Sequence, residues 1–290
     1  ACSACQAVVL NLYDPERLKE PQKKDGNKAD WQTIDTEVIK ALKEASEGGK
    51  EIAIVSHPLL SPTLKKVWEQ FHKNYQTAQL YTYDFFHESH PQQAWKKAYG
   101  TEEIPAIEWD KAKIVVALEA DFLGNEGHQI EQIRLFSRNR DAMSERDFNR
   151  LYVIEAGMSL TGLNADYRLR LRPEAHYELV LALLNEANKK HPSSKVPQWV
   201  NQYDLGKVAG KYNLNQETLK HLAHDLSEHP GEAIVYAGAK LPEAVHSAVL
   251  LLNEVLGNTS LYSKHHRTML HAPLTSPQEW TELVQKISNG

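Results

Sequence analysis

Lys113-Ile-Val-Val-Ala-Leu118 and Leu151-Tyr-Val-Ile-Glu155 decide the fold. Each is a short, continuous apolar run without polar alternation, the pattern of a strand buried on both faces. Ala233-Ile-Val-Tyr-Ala237 is a third run of the same kind. Buried strands that alternate with helical patterns predict mainly parallel sheets covered by helices on both faces, which is an α/β protein.

Toward the amino terminus, Trp31 to Ala45 places Ile34, Val38, Ile39 and Leu42 at helical spacing, and Gly48-Gly49 stops it. Glu51 to Ser56, a helical pattern through Leu64, Val67, Trp68 and Phe71, and strand-like Ala78 to Tyr83 make a β-α-β unit. Asp84 to Thr101 reads as a polar, aromatic-rich loop, and Gly127 to Asp147 as helix plus loop carrying Arg134, Arg138 and Arg140. Toward the carboxyl terminus, Pro173 opens a helix with Tyr177, Val180, Leu181 and Leu184. His191 to Pro197 reads as a boundary, Leu219 to Leu226 as an amphipathic helix, and Val245 to Leu256 as an apolar helix ended by Gly257-Asn258.

With 33 Lys+Arg against 38 Asp+Glu the net charge is -5, so the chain has no global basic field and no nucleic acid partner is expected. The longest apolar runs fall far short of the ~20 residues that span a bilayer, which predicts no direct membrane insertion. No charged segment followed by an apolar one opens the chain, so an export signal is expected outside this sequence. Cys2 and Cys5 are the only cysteines and supply half of a four-ligand metal site.

Fourteen histidines raise the question of a metal, with His87 and His90 in one loop, His221 and His224 one helical turn apart, and His265, His266 and His271 near the end. None has a carboxylate at ligand spacing, and solvated or structural roles are the expectation. Gly206 to Gly210 lacks the Lys-Ser/Thr ending of a phosphate loop, and Gly157 to Gly162 lacks dinucleotide spacing. Ser56-His57 reads as a cap and turn, and Arg168, Arg170 and Arg172 share one face of a strand that meets solvent or a neighbouring surface.

Cys2-Ser-Ala-Cys5-Gln-Ala-Val-Val-Leu-Asn-Leu-Tyr-Asp-Pro-Glu-Arg-Leu18 resembles the segment after the iron-sulfur domain in the dimethyl sulfoxide reductase family of molybdopterin oxidoreductases, with Cys2 on the last cluster cysteine and Cys5 in place of a glycine. Leu151 to Pro173 is similar to the family's strand, Asp-Pro-Arg, Ser/Thr, Ala-Asp and Arg-Pro-Gly-Thr-Asp series. Ile234-Val-Tyr-Ala-Gly238 and Leu251-Leu-Asn253 through Asn258 resemble its later Tyr-Gly strand and Asn-Leu-Leu-Thr-Gly-Asn helix end. Glu155-Ala156-Gly157 and Glu174-Ala175-His176 replace the Asp-Pro-Arg and Gly-Thr-Asp motifs, and Tyr83 to His90 offers Asp84 and Ser89 where the family supplies a molybdenum ligand. Ala120-Asp-Phe-Leu-Gly124, Ser159-Leu-Thr-Gly162 and Asn164-Ala-Asp-Tyr-Arg168 are similar to the large iron-sulfur subunit of alternative complex III, often named an iron-sulfur-containing hydrogenase.

The resemblance implies two interlocked Rossmann-like domains, residues 1–105 plus 196–290 and an inserted 106–195. It implies a cofactor-free domain of an electron-transfer subunit, on the periplasmic face of a bacterial inner membrane. The implied partners are an iron-sulfur ferredoxin-like domain, cytochrome c subunits and a quinol-oxidising integral membrane subunit, with iron-sulfur clusters in flanking regions. An alternative is a working enzyme in which Ser159, Thr161, Asp166 and Asn253 contact molybdopterin guanine dinucleotide. A third reading, resting on the fold alone, is a small-molecule binder using the crevice at the carboxyl ends of the strands.

Overall fold

The computed structural model describes residues 3–24, 26–85, 89–101, 103–141, 148–267 and 274–289, with backbone alone at 3, 4 and 267. In chain order the elements are α1 (Ser3–Ala7), α2 (Trp31–Glu47), β1 (Ile52–Ser56), α3 (Pro62–Asn74), β2 (Ala78–Thr82), α4 (His90–Tyr99), β3 (Pro105–Ile107), β4 (Ile114–Leu118), α5 (Gln129–Ser137), β5 (Arg150–Glu155), α6 (Leu160–Leu163) and β6 (Tyr167–Arg170). They continue with α7 (His176–Lys190), α8 (Leu205–Tyr212), α9 (Gln216–Glu228), β7 (Ala233–Ala237), α10 (Glu243–Val255), β8 (Tyr262–Arg267) and α11 (Pro277–Asn289). Two compact units result: unit 1 is Ala1–His87 with Leu270–Gly290, and unit 2 is Glu88–Met269.

Unit 2 is built on a four-stranded sheet in the order β6-β5-β4-β7, every pair parallel. Its central strands are buried on both faces, as their continuous apolar runs require. Ile114, Val116 and Leu118 of β4, with Tyr152 and Ile154 of β5, enter a core shared with α7, α8, α9 and α10. Val115, Ala117, Leu151 and Val153 face the opposite core, where Trp109, Phe122 and Phe136 pack. Trp109 and Phe122 stack with ring centroids 4.4 Å apart. Helix α7 buries Leu179, Val180, Leu181, Leu183 and Leu184, each worth roughly 1.5–3 kcal/mol of transfer free energy. The fold class is therefore the one expected, α/β with Rossmann-like parallel sheets; a short antiparallel pair, β3 with β8, lies outside it.

The outer edge of β7 is closed by a side chain. Asn253 of α10 is fully buried, donates from Nδ2 to the Val235 carbonyl at 2.8 Å and accepts the Val235 N–H on Oδ1 at 3.0 Å. Its amide reproduces the donor and acceptor of a further strand.

Unit 1 holds a two-stranded parallel sheet, Ile52↔Ala78 through Ser56↔Thr82. Asp30 caps α2 by accepting the Thr33 N–H at 2.8 Å, and Ser61 caps α3 ahead of Pro62. Tyr81 packs on Trp280 of α11, and Thr275 donates its N–H to the Thr82 carbonyl at 3.1 Å while its hydroxyl accepts the Thr82 N–H at 2.8 Å.

One expectation is corrected. Asp84 to Thr101 contains α4: Pro91 sits in the first turn, where its missing N–H costs nothing, and Gly100 closes the helix at a left-handed φ of 75°. Residues 105/106 and 195/196 both lie inside unit 2, where β7 pairs with β4 along its length and Val196 is buried in the core shared with α7.

β4 and β7 meet at a tight crossing. Gly238 donates its N–H to the Leu118 carbonyl at 2.8 Å, and a Cβ on Gly238 would lie 1.9 Å from the Glu119 carbonyl oxygen. Glu119 itself takes a positive φ of 48°, unusual for a residue with a side chain. Gly238→Ala is expected to cost at least about 2–3 kcal/mol in urea unfolding, an overpacking clash against backbone. Gly157→Ala, which meets nothing within 4 Å, should move the midpoint little by comparison.

Candidate functional site

In an open α/β sheet, ligands bind outside the carboxyl ends of the strands, where the strand order reverses. In unit 2 that point lies between β4 and β7, since β5 and β6 continue to one side of β4 and β7 lies on the other. The loops there begin at Glu119, Ala156 and Gly238, and the side chains they gather are acidic.

Glu155, the last residue of β5, is 2% exposed. Its carboxylate accepts the Ser159 N–H at 3.2 Å and the Ser159 hydroxyl at 2.6 Å, and Arg168 Nε donates to it at 2.7 Å. Gly162 makes room for it, because a Cβ there would lie 1.9 Å from Glu155 Oε1. Ser159 Oγ in turn accepts the Gly162 N–H at 2.9 Å and caps α6. The first turn of α6 is thus already supplied with an anion by the chain itself.

Asp121 repeats the arrangement one loop away. It accepts the Thr161 N–H at 2.9 Å, the Thr161 hydroxyl at 3.0 Å and the Asn125 N–H at 3.1 Å. The Thr161 oxygen accepts the Leu123 N–H at 3.0 Å, and Gly124 leaves the space for the Asp121 carboxylate. Glu119 accepts the Ala156 N–H at 2.6 Å, tying the β4 loop to the β5 loop. Glu126 accepts the Ala239 N–H at 3.2 Å, tying it to the β7 loop. Burial, with the Asp121 charge adding to it, pushes the Glu126 carboxyl up to about 7.

The four residues expected to hold a dinucleotide do not converge. Ser159 and Thr161 are at the carboxyl end, committed to Glu155 and Asp121. Asp166 lies at the amino end of β5 and β6, where it accepts the Leu151 N–H at 2.7 Å and takes Arg140 through both oxygens at 2.6 and 3.0 Å. At a rise of 3.3 Å per residue it is roughly 15 Å from Ser159. Asn253 serves the β7 edge. These residues do not fit an anionic dinucleotide, which at the carboxyl end would meet Glu119, Asp121, Glu126 and Glu155 in place of donors.

His176, in the Gly-Thr-Asp position, is fully buried with Nδ1 3.1 Å from the Pro173 carbonyl and Nε2 3.1 Å from the Ile154 carbonyl. It pins the start of α7 to the end of β5. Of the three strand arginines, Arg168 is the one built into the crevice; Arg170 is exposed and Arg172 lies over the Tyr212 ring at 5.4 Å. Gly206 and Gly210 are inside α8. Among the described residues no three His, Cys, Asp or Glu side chains are grouped to hold a metal. Cys2, His87 and His271 lie outside the described residues. A groove of about 410 Å³ lined by Lys189, Lys190, Asp204, Lys220 and His224 runs along α7, α8 and α9. It adjoins the last turn of α7, the far end of that helix from the crevice. The acidic residues escaped the sequence reading as a group; the available signal was that Glu119 and Glu155 stand at the exact ends of two buried strands.

No family model and no curated protein matches the chain. Among solved structures, acetylene hydratase from Pelobacter acetylenicus is similar in fold, with a TM-score of 0.59 and 13% identity over 92% of this chain and 39% of that one. At that identity the likeness concerns the fold alone, and this chain spans well under half the length of acetylene hydratase. Among the described residues no helix is long and apolar enough to cross a membrane.

Two outcomes follow for stability. Arg168→Ala leaves the buried Glu155 carboxylate without its cation and is expected to cost about 3–5 kcal/mol by urea unfolding, with part recovered on adding Glu155→Gln. The second concerns pH. Glu126 binds its proton more tightly folded than unfolded, so its contribution is full below 4.5 and falls as pH rises to about 7. His246, held down to about 4 by burial and by nearby His90, contributes fully above 6.5 and loses that as pH falls. From about 4.5 to 6.5 the two slopes oppose, and Glu126→Gln should unmask a stability that rises with pH. An unchanged profile in that variant would refute the assignment.

Proposed function

We propose that this chain is a pterin-free α/β portion of a molybdopterin-oxidoreductase-like subunit, nearest in kind to the large iron-sulfur subunit of alternative complex III. In this reading it is scaffold and docking surface for electron-carrying partners, and the chemistry is done elsewhere in the complex. The observation that carries it is the Glu155 carboxylate seated on Ser159, Gly162 and Arg168 at the carboxyl end of the sheet. A sheet that keeps the architecture of a nucleotide-binding fold while filling the binding position with its own buried anion has the properties of a frame.

The motif from Cys2 to Leu18 supports the family by resemblance, and those at 120–124, 159–162 and 164–168 support the subfamily. On that basis the partners are an iron-sulfur ferredoxin-like domain, cytochrome c subunits and a quinol-oxidising integral membrane subunit, at the periplasmic face of the inner membrane. The negative net charge gives such a frame no general affinity for polyanions.

The test is the metal content of the full-length gene product, expressed in a host that makes molybdenum cofactor. Iron without molybdenum or pterin is the expected result. Near-stoichiometric molybdenum and pterin would overturn the reading and make this the core of a working molybdenum enzyme.

A further inference from the structure

The groove between α7, α8 and α9 lies within unit 2, away from the acidic crevice. Its floor is Leu205, Ala223 and Ser227, and the Ser227 hydroxyl is already spent on the Ala223 carbonyl at 2.8 Å. Contacts between helices close both ends. At one, Gly206 has no side chain, and the Gln216 amide nitrogen lies 3.1 Å from where a Cβ would stand. At the other, His191 Nε2 lies 3.1 Å from the Ser227 carbonyl and Lys190 pairs with Glu228.

The two long walls differ. On the α7 wall the cations are matched, Lys189 by Glu186 at 2.7 Å and Lys190 by Glu228. On the α9 wall Gln216, Lys220 and His224 recur every fourth residue and stand in a row along one broad helix face. Among the described residues none of these three has a hydrogen-bond or ion-pair contact, and Glu228 acts on His224 through charge alone. Asp204 also lines the groove, with one oxygen holding the Lys207 N–H at 2.9 Å. Three lysines against two carboxylates leave the lining positive in a chain whose net charge is -5.

These features select a class of small molecule. A volume of about 410 Å³ is within the range of small-molecule sites. A row of unengaged donors centred on a lysine suits an oxyanion, and the flexible ammonium is a common phosphate binder. Carboxylates and an amide beside that row suit hydroxyl groups, which donate to the first and both give to and accept from the second. No aromatic side chain among the described residues lines the groove, so it has no stacking surface for a nucleobase.

We propose that the groove binds a phosphorylated sugar, its phosphate between Lys220 and His224 and its hydroxyls against Asp204, Gln216 and Glu186.

The test is calorimetric titration of the full-length gene product with glucose 6-phosphate, ribose 5-phosphate, glucose and inorganic phosphate, at two temperatures so that an enthalpy near zero at one does not hide binding. At least one sugar phosphate is expected to bind saturably with a Kd of about 0.1–1 mM, and glucose and inorganic phosphate at least about tenfold more weakly. Lys220→Ala and His224→Ala each weaken binding by about tenfold or more, and because both side chains are exposed neither moves the melting temperature. Lys207→Ala removes the same charge from α8 outside the groove and leaves the affinity unchanged. Absence of saturable binding by both sugar phosphates, inorganic phosphate bound as tightly as they are, or full affinity in Lys220→Ala or His224→Ala overturns the proposal. An equal loss in Lys207→Ala overturns it too, as the mark of general charge attraction in place of a site.

Discussion

A strand with apolar side chains on both faces has one stable place, the middle of a sheet covered on both sides, and Ile114–Leu118 orders unit 2 for that reason. With β4 held there, β5 and β7 become its two neighbours, and the helices that return between them divide into two layers. The reversal of strand order beside β4 then brings three loops together at one end of the sheet. The crossing of Gly238 under the Glu119 carbonyl is the local cost of that meeting, met by a residue without a side chain on one strand and by a left-handed backbone on the other.

What fills that end is a set of carboxylates with internal partners. Backbone N–H groups at the start of a helix and of a loop attract negative charge, and Glu155 and Asp121 supply it covalently, with no loss of translational freedom. A bound anion would have to displace a carboxylate that is already hydrogen-bonded and, in the case of Glu155, paired with Arg168. The same loops are tied across the reversal by Glu119 to Ala156 and Glu126 to Ala239, so that displacing one group disturbs its neighbours.

Much of this was legible in the sequence. The runs at 114–118, 151–155 and 233–237 announced buried parallel strands because burial on both faces leaves no polar alternation. Helix α4 was hidden by proline, histidine and glutamine in its first turns, residues common to loops and to helix starts alike. Asp166 and Asn253 were grouped with Ser159 and Thr161 by motif, and only the topology reveals that one sits at the opposite end of the sheet and the other on its flank. The acidic crevice follows no motif, since Glu119, Asp121 and Glu126 of one loop meet Glu155 only through the pairing of β4 with β5.

The amide of Asn253 has a consequence for the life of the protein in a crowded solution. A bare strand edge is a template on which any extended polypeptide can condense, and repeated addition of that kind ends in fibrils. At Val235 the template is already read: its donor and acceptor are taken by a side chain that offers no new donor-acceptor pair beyond itself. Sheet growth terminates there, and a helix residue performs at one point the protective service that barrels obtain by closing on themselves.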